Sequence, residues 1–269
     1  MTAARPRRIR PAAVAGSFYP ADAEALRDAL RHCFAAARTP EGDRAVPKAL
    51  VVPHAGYIYS GPIAASAFLR LVPGREAIRR VVLLGPSHHV PLAGVAVTSA
   101  DAFATPLGLV PVDDRARQGI LTLPVVQIGD LAHAAEHSLE VQLPFLQVVL
   151  DRFELLPLAV GRCSTSELTA LLDVVWGGPE TVVVVSTDLS HYHRYATALA
   201  IDRDTAAAVT ALTPGLIGDD AACGASPLRG LLAAAASRGL SVDLVDLRNS
   251  GDTAGGRDRV VGYGAFALA

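Results

Sequence analysis

The chain has 269 residues, 51% of them hydrophobic, and a formal net charge of −2. That length suits one large α/β domain or two small ones, and the absence of a basic surplus excludes a nucleic-acid-binding or anionic-membrane-binding class. No uninterrupted apolar run reaches the roughly 20 residues of a membrane helix. The apolar stretch behind the basic cluster at 5–10 is short and broken by Phe18-Tyr19-Pro20-Ala21-Asp22, so it does not read as a signal peptide. Three cysteines, Cys33, Cys163 and Cys223, argue against a disulfide framework and for a reducing compartment, with the cytoplasm as the expectation.

In chain order, residues 22–37 pattern as an amphipathic helix, with Leu26, Leu30 and Phe34 at i, i+4 spacing. Residues 49–52 read as a strand. A helix is expected to start after Ser60-Gly61-Pro62 and to end before Pro73-Gly74. Residues 81–84 form a second strand and 94–98 a shorter one. The stretch 99–135 has no clear period and reads as loops over the site. A helix over 138–150 carries Leu139, Leu143 and Leu146 on one side and is bent by Pro144. Residues 155–160 form a strand. Ser164-Thr165-Ser166-Glu167 fits a capping box before a helix over 168–175. Residues 181–185 are the most β-prone run. Helices over 194–212 and 227–236 and strands over 242–247 and 260–268 follow. The alternation, with no linker or composition shift, predicts a single α/β domain over 1–269. Its central sheet is expected to be mostly parallel and covered by helices.

Histidines cluster just beyond the Val-rich runs. His54 follows Val51-Val52-Pro53, His88 and His89 follow Leu84-Gly85-Pro86-Ser87, and His191 and His193 follow Val185-Ser186-Thr187-Asp188. Ligands of open α/β sheets bind outside the carboxyl ends of the strands, so three such segments can converge, and converging imidazoles suggest a metal. Adjacent residues on extended backbone point opposite ways, so one of His88 and His89 is expected to ligate and the other to support. Asp188 could orient a histidine and fix its tautomer, and a histidine beyond that strand could act as acid or base. Cys223 precedes a predicted helix, where a thiolate would be a soft metal ligand. Cys33 and Cys163 read as small buried hydrophobes. His133-Ala134-Ala135-Glu136-His137 matches the H-x-x-E-H zinc spacing. The periodic face starting at Ser138 instead places His133 in a loop.

Gly16-Ser17-Phe18-Tyr19-Pro20, Pro53-His54-Ala55-Gly56-Tyr57, Gly85-Pro86-Ser87-His88-His89, Glu136-His137-Ser138-Leu139-Glu140 and Cys223-Gly224 occur here in the order seen in the MEMO family, whose microbial members are called AmmeMemoRadiSam system protein B. The chain resembles that family over nearly its whole length. The resemblance implies a fold similar to class III extradiol dioxygenases, which use non-haem iron(II). It implies metal ligands at His54, His88 and Cys223, and candidate catalytic residues at His191, His137 and Asp188. His191 would handle protons, while Tyr57, His137 and Asp188 would shape the pocket. Iron(II) is the expected cofactor, with copper or zinc as alternatives. The expected function is a dioxygenase-like oxidoreductase acting on a small molecule. The alternatives are a non-catalytic metal- or peptide-binding partner of a radical SAM system and, third, a zinc hydrolase. The chain departs from the family pattern in two places. Ser186-Thr187-Asp188 replaces the usual Ser-Ser-Asp, and Ala225 stands where Arg is common.

Overall fold

The computed structural model describes residues 7–39 and 45–269. Arg5 and Pro6 of the basic cluster lie outside the described residues. Twelve strands and nine α-helices are found among these residues. The strands are β1 (Ile9–Arg10), β2 (Ala49–Val52), β3 (Arg80–Pro86), β4 (Val95–Val97), β5 (Ala102–Thr105), β6 (Gly108–Pro111), β7 (Val126–Ile128), β8 (Glu154–Val160), β9 (Thr181–Ser186), β10 (His191–His193), β11 (Val242–Asn249) and β12 (Val260–Leu268). The helices are α1 (Ala23–Ala35), α2 (Tyr57–Phe68), α3 (Asp114–Ile120), α4 (Asp130–Ala134), α5 (His137–Glu140), α6 (Leu143–Val149), α7 (Thr165–Val175), α8 (Tyr195–Thr210) and α9 (Ala225–Ala236).

The main sheet is ordered β10-β12-β2-β9-β3-β8-β4-β7, with β11 also on β12. Its centre, β2-β9-β3-β8, is parallel. Both flanks turn antiparallel, at β12 against β2 and at β4 against β8, so the sheet is mixed, with a parallel middle. The link 87–94 between β3 and β4 is too short for a parallel crossover, which takes a dozen or more residues.

The Val-rich runs are continuous because each strand faces two cores. Leu50, Val52, Leu83, Val182 and Val184 pack into one core with Leu26, Ile63, Phe68 and Phe145. Their alternates Val51, Val82, Leu84, Val183 and Val185 pack into the other with Leu168, Leu171, Val209 and Leu231. Period-two alternation thus divides one apolar run between helices on opposite faces. None of the helices among the described residues is long and apolar enough to cross a membrane.

Three expectations are corrected. Helix α2 begins at Tyr57, a turn before Pro62, because the buried Tyr57 hydroxyl donates to Val141 O at 2.7 Å and ties the first turn to the core. The helix expected over 138–150 is two pieces, α5 and α6, with Pro144 in the first turn of the second. The stretch 99–135 is built rather than looped. It forms the β5–β6 hairpin, which joins β1 in a small second sheet, and then α3, β7 and α4. His133 therefore lies in a short helix. These elements are of three to seven residues, too short to show a period.

Candidate metal centre

Three neighbouring parallel strands deliver the site. Pro53-His54 leaves the end of β2, Thr187-Asp188 the end of β9 and Ser87-His88 the end of β3. Cys223 arrives from the turn before α9. Gly224 beside it allows a close approach, since a Cβ there would lie 2.7 Å from Thr187 Cβ and 3.0 Å from Ser186 O. The Gly224 N–H donates to Thr187 Oγ1 at 2.8 Å, and the Asp188 N–H points at Cys223 Sγ at 3.3 Å. Cys223 Sγ stands 3.2 Å from His54 Nε2. The ligand atoms of His54, His88 and Cys223 all lie within 4.8 Å of one another.

Both imidazoles have their tautomer set by the chain. Ser186 has one hydroxyl proton, and it goes to Ser138 O at 2.6 Å. Its oxygen accepts from Gln142 Nε2 at 2.9 Å, so at His54 Nδ1, 3.0 Å away, it also accepts. His54 Nε2 is left with a bare lone pair facing Cys223. His88 Nδ1 lies 2.8 Å from Glu136 Oε1, and the His88 backbone N–H donates to Glu136 Oε2 at 2.6 Å. Burial would raise the Glu136 carboxyl, but these bonds and that from the Ser138 N–H hold it well below the usual carboxylate range. An ionised carboxylate only accepts, so His88 Nδ1 donates and Nε2 is the nitrogen left to face a ligand.

His54 is 2% exposed. Burial, then the charges of His137 and His88, holds it neutral, well below its ordinary pKa. Burial and then His88 lower His137 to about 4. Burial, then the Asp188 charge, pushes the Cys223 thiol up to about 12. Burial raises Asp188 to about 7 against the pull of the His54 N–H. A neutral imidazole at His54, a second at His88 whose Nδ1 is taken by Glu136, and a thiol that needs a cation beside it to ionise are a donor set that fits a transition metal. Glu136, with both oxygens already taken, orients His88 rather than ligating.

The remaining residues singled out in the sequence fall as follows. Asp188 does not orient an imidazole ring; its carboxylate accepts the His54 backbone N–H at 2.7 Å and fixes the turn. His137 stacks on His88, centroids 4.6 Å apart, with Phe18 on it at 4.7 Å. His191 donates Nδ1–H to Leu189 O at 2.8 Å, so its Nε2 carries the lone pair, and burial lowers its pKa. Tyr192 beside it has a positive φ of 60°, a conformation costly for a tyrosine that turns the chain between His191 and His193. His89 and His193 are exposed. Tyr57 packs on Tyr19 and Phe145 in the core rather than shaping the pocket. On the wall next to Ala225, the cations are Arg162 and Arg229.

Glu136 is the functional residue that sequence reasoning did not assign. Its signal is a carboxylate at the N-cap of α5, where its side chain accepts from the Ser138 N–H. Arg10 braces the same segment, donating to His133 O at 3.0 Å and to Glu136 O at 2.7 Å.

His133 does not join the cluster. Its Nε2 donates to Ala96 O at 2.9 Å, Nδ1 has no partner, and Phe103 meets the ring edge-on. Burial lowers its pKa from 6.5 to about 4. Between those values the unfolded chain holds a proton that the folded chain does not, so stability is lost as pH falls below 6.5. In urea titrations at pH 7, 6 and 5, His133→Gln should remove about 1.4 kcal/mol per pH unit of that loss. Parallel profiles for the two proteins would refute this.

A solved structure of an uncharacterized protein from Escherichia coli K12 is 15% identical and aligns with a TM-score of 0.49, covering 81% of this chain and 99% of that one. A MEMO1 family protein from Aquifex aeolicus is 36% identical over 270 residues, covering 95% of this chain and 97% of the relative. One from Methanosarcina acetivorans is 37% identical over 273 residues, covering 97% and 99%. The family model described as Memo-like protein matches residues 10–267, which span all three strand ends and Cys223. The chain therefore belongs to the Memo family.

Proposed function

We propose that this protein is a cytoplasmic, metal-dependent oxidoreductase of the non-haem iron(II), class III extradiol dioxygenase-like type, acting on a small molecule. The observation that carries the reading is the pair of imidazoles whose Nδ1 atoms the chain engages, meeting a half-buried thiol beyond the ends of adjacent strands. Two nitrogens and one anionic sulfur would hold the metal on one side and leave positions open on the other. Iron(II), when bound, would supply dioxygen and substrate activation there. Copper and zinc suit the same donors.

The chain's own residues divide the remaining work. His54, His88 and Cys223 would hold the metal. Asp188, Ser186 and Glu136 keep those groups in place. His191, neutral at pH 7 and with a lone pair on Nε2, would take a proton from the substrate and return it. His137, held neutral against His88, would present its ring to the bound molecule.

Anaerobically prepared protein should bind about one iron(II) per chain and then consume dioxygen with catechol-type substrates. Failure to bind any of iron, copper or zinc would sink the metal-centre reading. Binding without dioxygen uptake would favour the non-catalytic partner of a radical SAM system.

A further inference from the structure

A cavity of about 780 Å³ adjoins the cluster, with Cys223 in its wall. Its walls come from the end of β3 (Pro86, Ser87), the end of β8 (Val160 to Cys163) and the start of α9. Val90, Pro91, Leu92 and Pro227 supply apolar lining. Two guanidinium groups line it as well. Arg162 is exposed and its side chain has no partner among the described residues. Arg229 is anchored through one nitrogen, Nη1, to Ile217 O at 2.9 Å and Asp219 at 2.8 Å. Its other nitrogens have no partner among the described residues.

Asp219, the Arg229 partner, also lines the cavity and is largely exposed. Glu167, whose charge reaches Cys163, accepts from the Ser164 N–H at 2.8 Å and from its hydroxyl at 2.6 Å. With two guanidinium groups and one carboxylate in its lining, the cavity keeps one net positive charge beside apolar surface and the candidate metal ligand Cys223.

We infer that this cavity binds the substrate through an anionic head group, a carboxylate or a phosphate, with Arg162 and Arg229 as the residues that select for it. The apolar lining then holds the hydrocarbon body, and the reacting end lies toward Cys223. The orientation rests on the metal-centre reading; the anion selectivity does not. A planar guanidinium fork suits either head group.

Cys163 lines the cavity and is half-buried, so it serves as a reporter that needs no metal. The full-length metal-free protein is alkylated with iodoacetate or iodoacetamide at one pH, about 8.5, and Cys163 labelling is read by mass spectrometry. Both reagents meet the same thiolate fraction, so their rate ratio reports the local field alone. Glu167 also places negative charge on Cys163, so the ratio is read against the double variant rather than against free cysteine. Arg162→Gln with Arg229→Gln should lower it by roughly 5–10-fold at low salt, whatever the lost cations do to the thiolate fraction and so to the iodoacetamide rate itself. Benzoate or phenyl phosphate should slow iodoacetamide labelling where benzamide does not, and the better protector tells carboxylate from phosphate. A ratio unchanged in the double variant, or equal protection by benzamide, would overturn the inference. Metal loading, measured separately, is untouched by any of these outcomes.

Discussion

Glu140→Ala is expected to destabilise the protein by about 3–5 kcal/mol, the cost of leaving one member of a buried ion pair without its partner. The Glu140 carboxylate is fully buried and faces Arg10, itself 6% exposed. It accepts the N–H groups of Ala13 at 2.8 Å and Val14 at 3.0 Å and the Tyr19 hydroxyl at 2.5 Å. Burial and this hydrogen bond to Glu140 hold the Tyr19 phenol protonated far above its ordinary pKa. Removing the carboxylate leaves a buried guanidinium and three donors unpaired. Replacing both charges, as in Arg10→Met with Glu140→Leu, should cost less than the sum of the single losses, because no orphan charge remains. Urea unfolding of Glu140→Ala, of Arg10→Met and Glu140→Leu singly, and of the double variant checks this. A loss under 1 kcal/mol for Glu140→Ala would show that the network is not what ties residues 10–19 to α5. The same loss should loosen Phe18 from His137, because residues 14–19 carry Phe18 to that ring.

The central strands were legible because both their faces are buried. A run such as Val182-Val183-Val184-Val185 admits few other readings, and its neighbours in the sheet put His54, His88 and Asp188 at one edge. Cys223 was legible from its own surroundings only as a cysteine before a predicted helix, and the family resemblance joined it to His54 and His88. Its place depends on a glycine seated against Thr187, a contact 37 positions away in the chain that leaves no periodic trace. Glu136 was visible but misread. The H-x-x-E-H spacing suggests a helix face shared by His133 and His137, whereas the chain breaks between α4 and α5 and sends the two rings to different partners. Asp188 shows the same limit. A carboxylate near a histidine looks like a ring partner in sequence, and only the fold shows it on the backbone N–H of the turn. The stretch 99–135 failed for want of length, since a three-residue strand such as β7 carries less signal than the turns around it.

The metal-centre reading makes a graded prediction. His54→Ala, His88→Ala and Cys223→Ala should each abolish stoichiometric iron(II) binding, because each removes one of three donors. Glu136→Gln should leave all three donors and still weaken binding by about 10–100-fold, the usual effect of losing the group that orients a ligating imidazole. The reason lies in the proton on His88 Nδ1. A carboxylate can only accept there, so a neutral ring keeps its one proton on Nδ1 and offers Nε2 to the metal. A glutamine can turn its amide and donate instead, so the ring is free to place its proton on Nε2, facing the metal. Ser186→Ala should act more weakly at His54, since Ser186 supplies one neutral hydroxyl oxygen where Glu136 supplies charge. Metal analysis and competition with a chelator would rank the five variants against the parent. Full occupancy in all three ligand variants would dismiss the site, and equal affinities for Glu136→Gln and the parent would remove Glu136 from it.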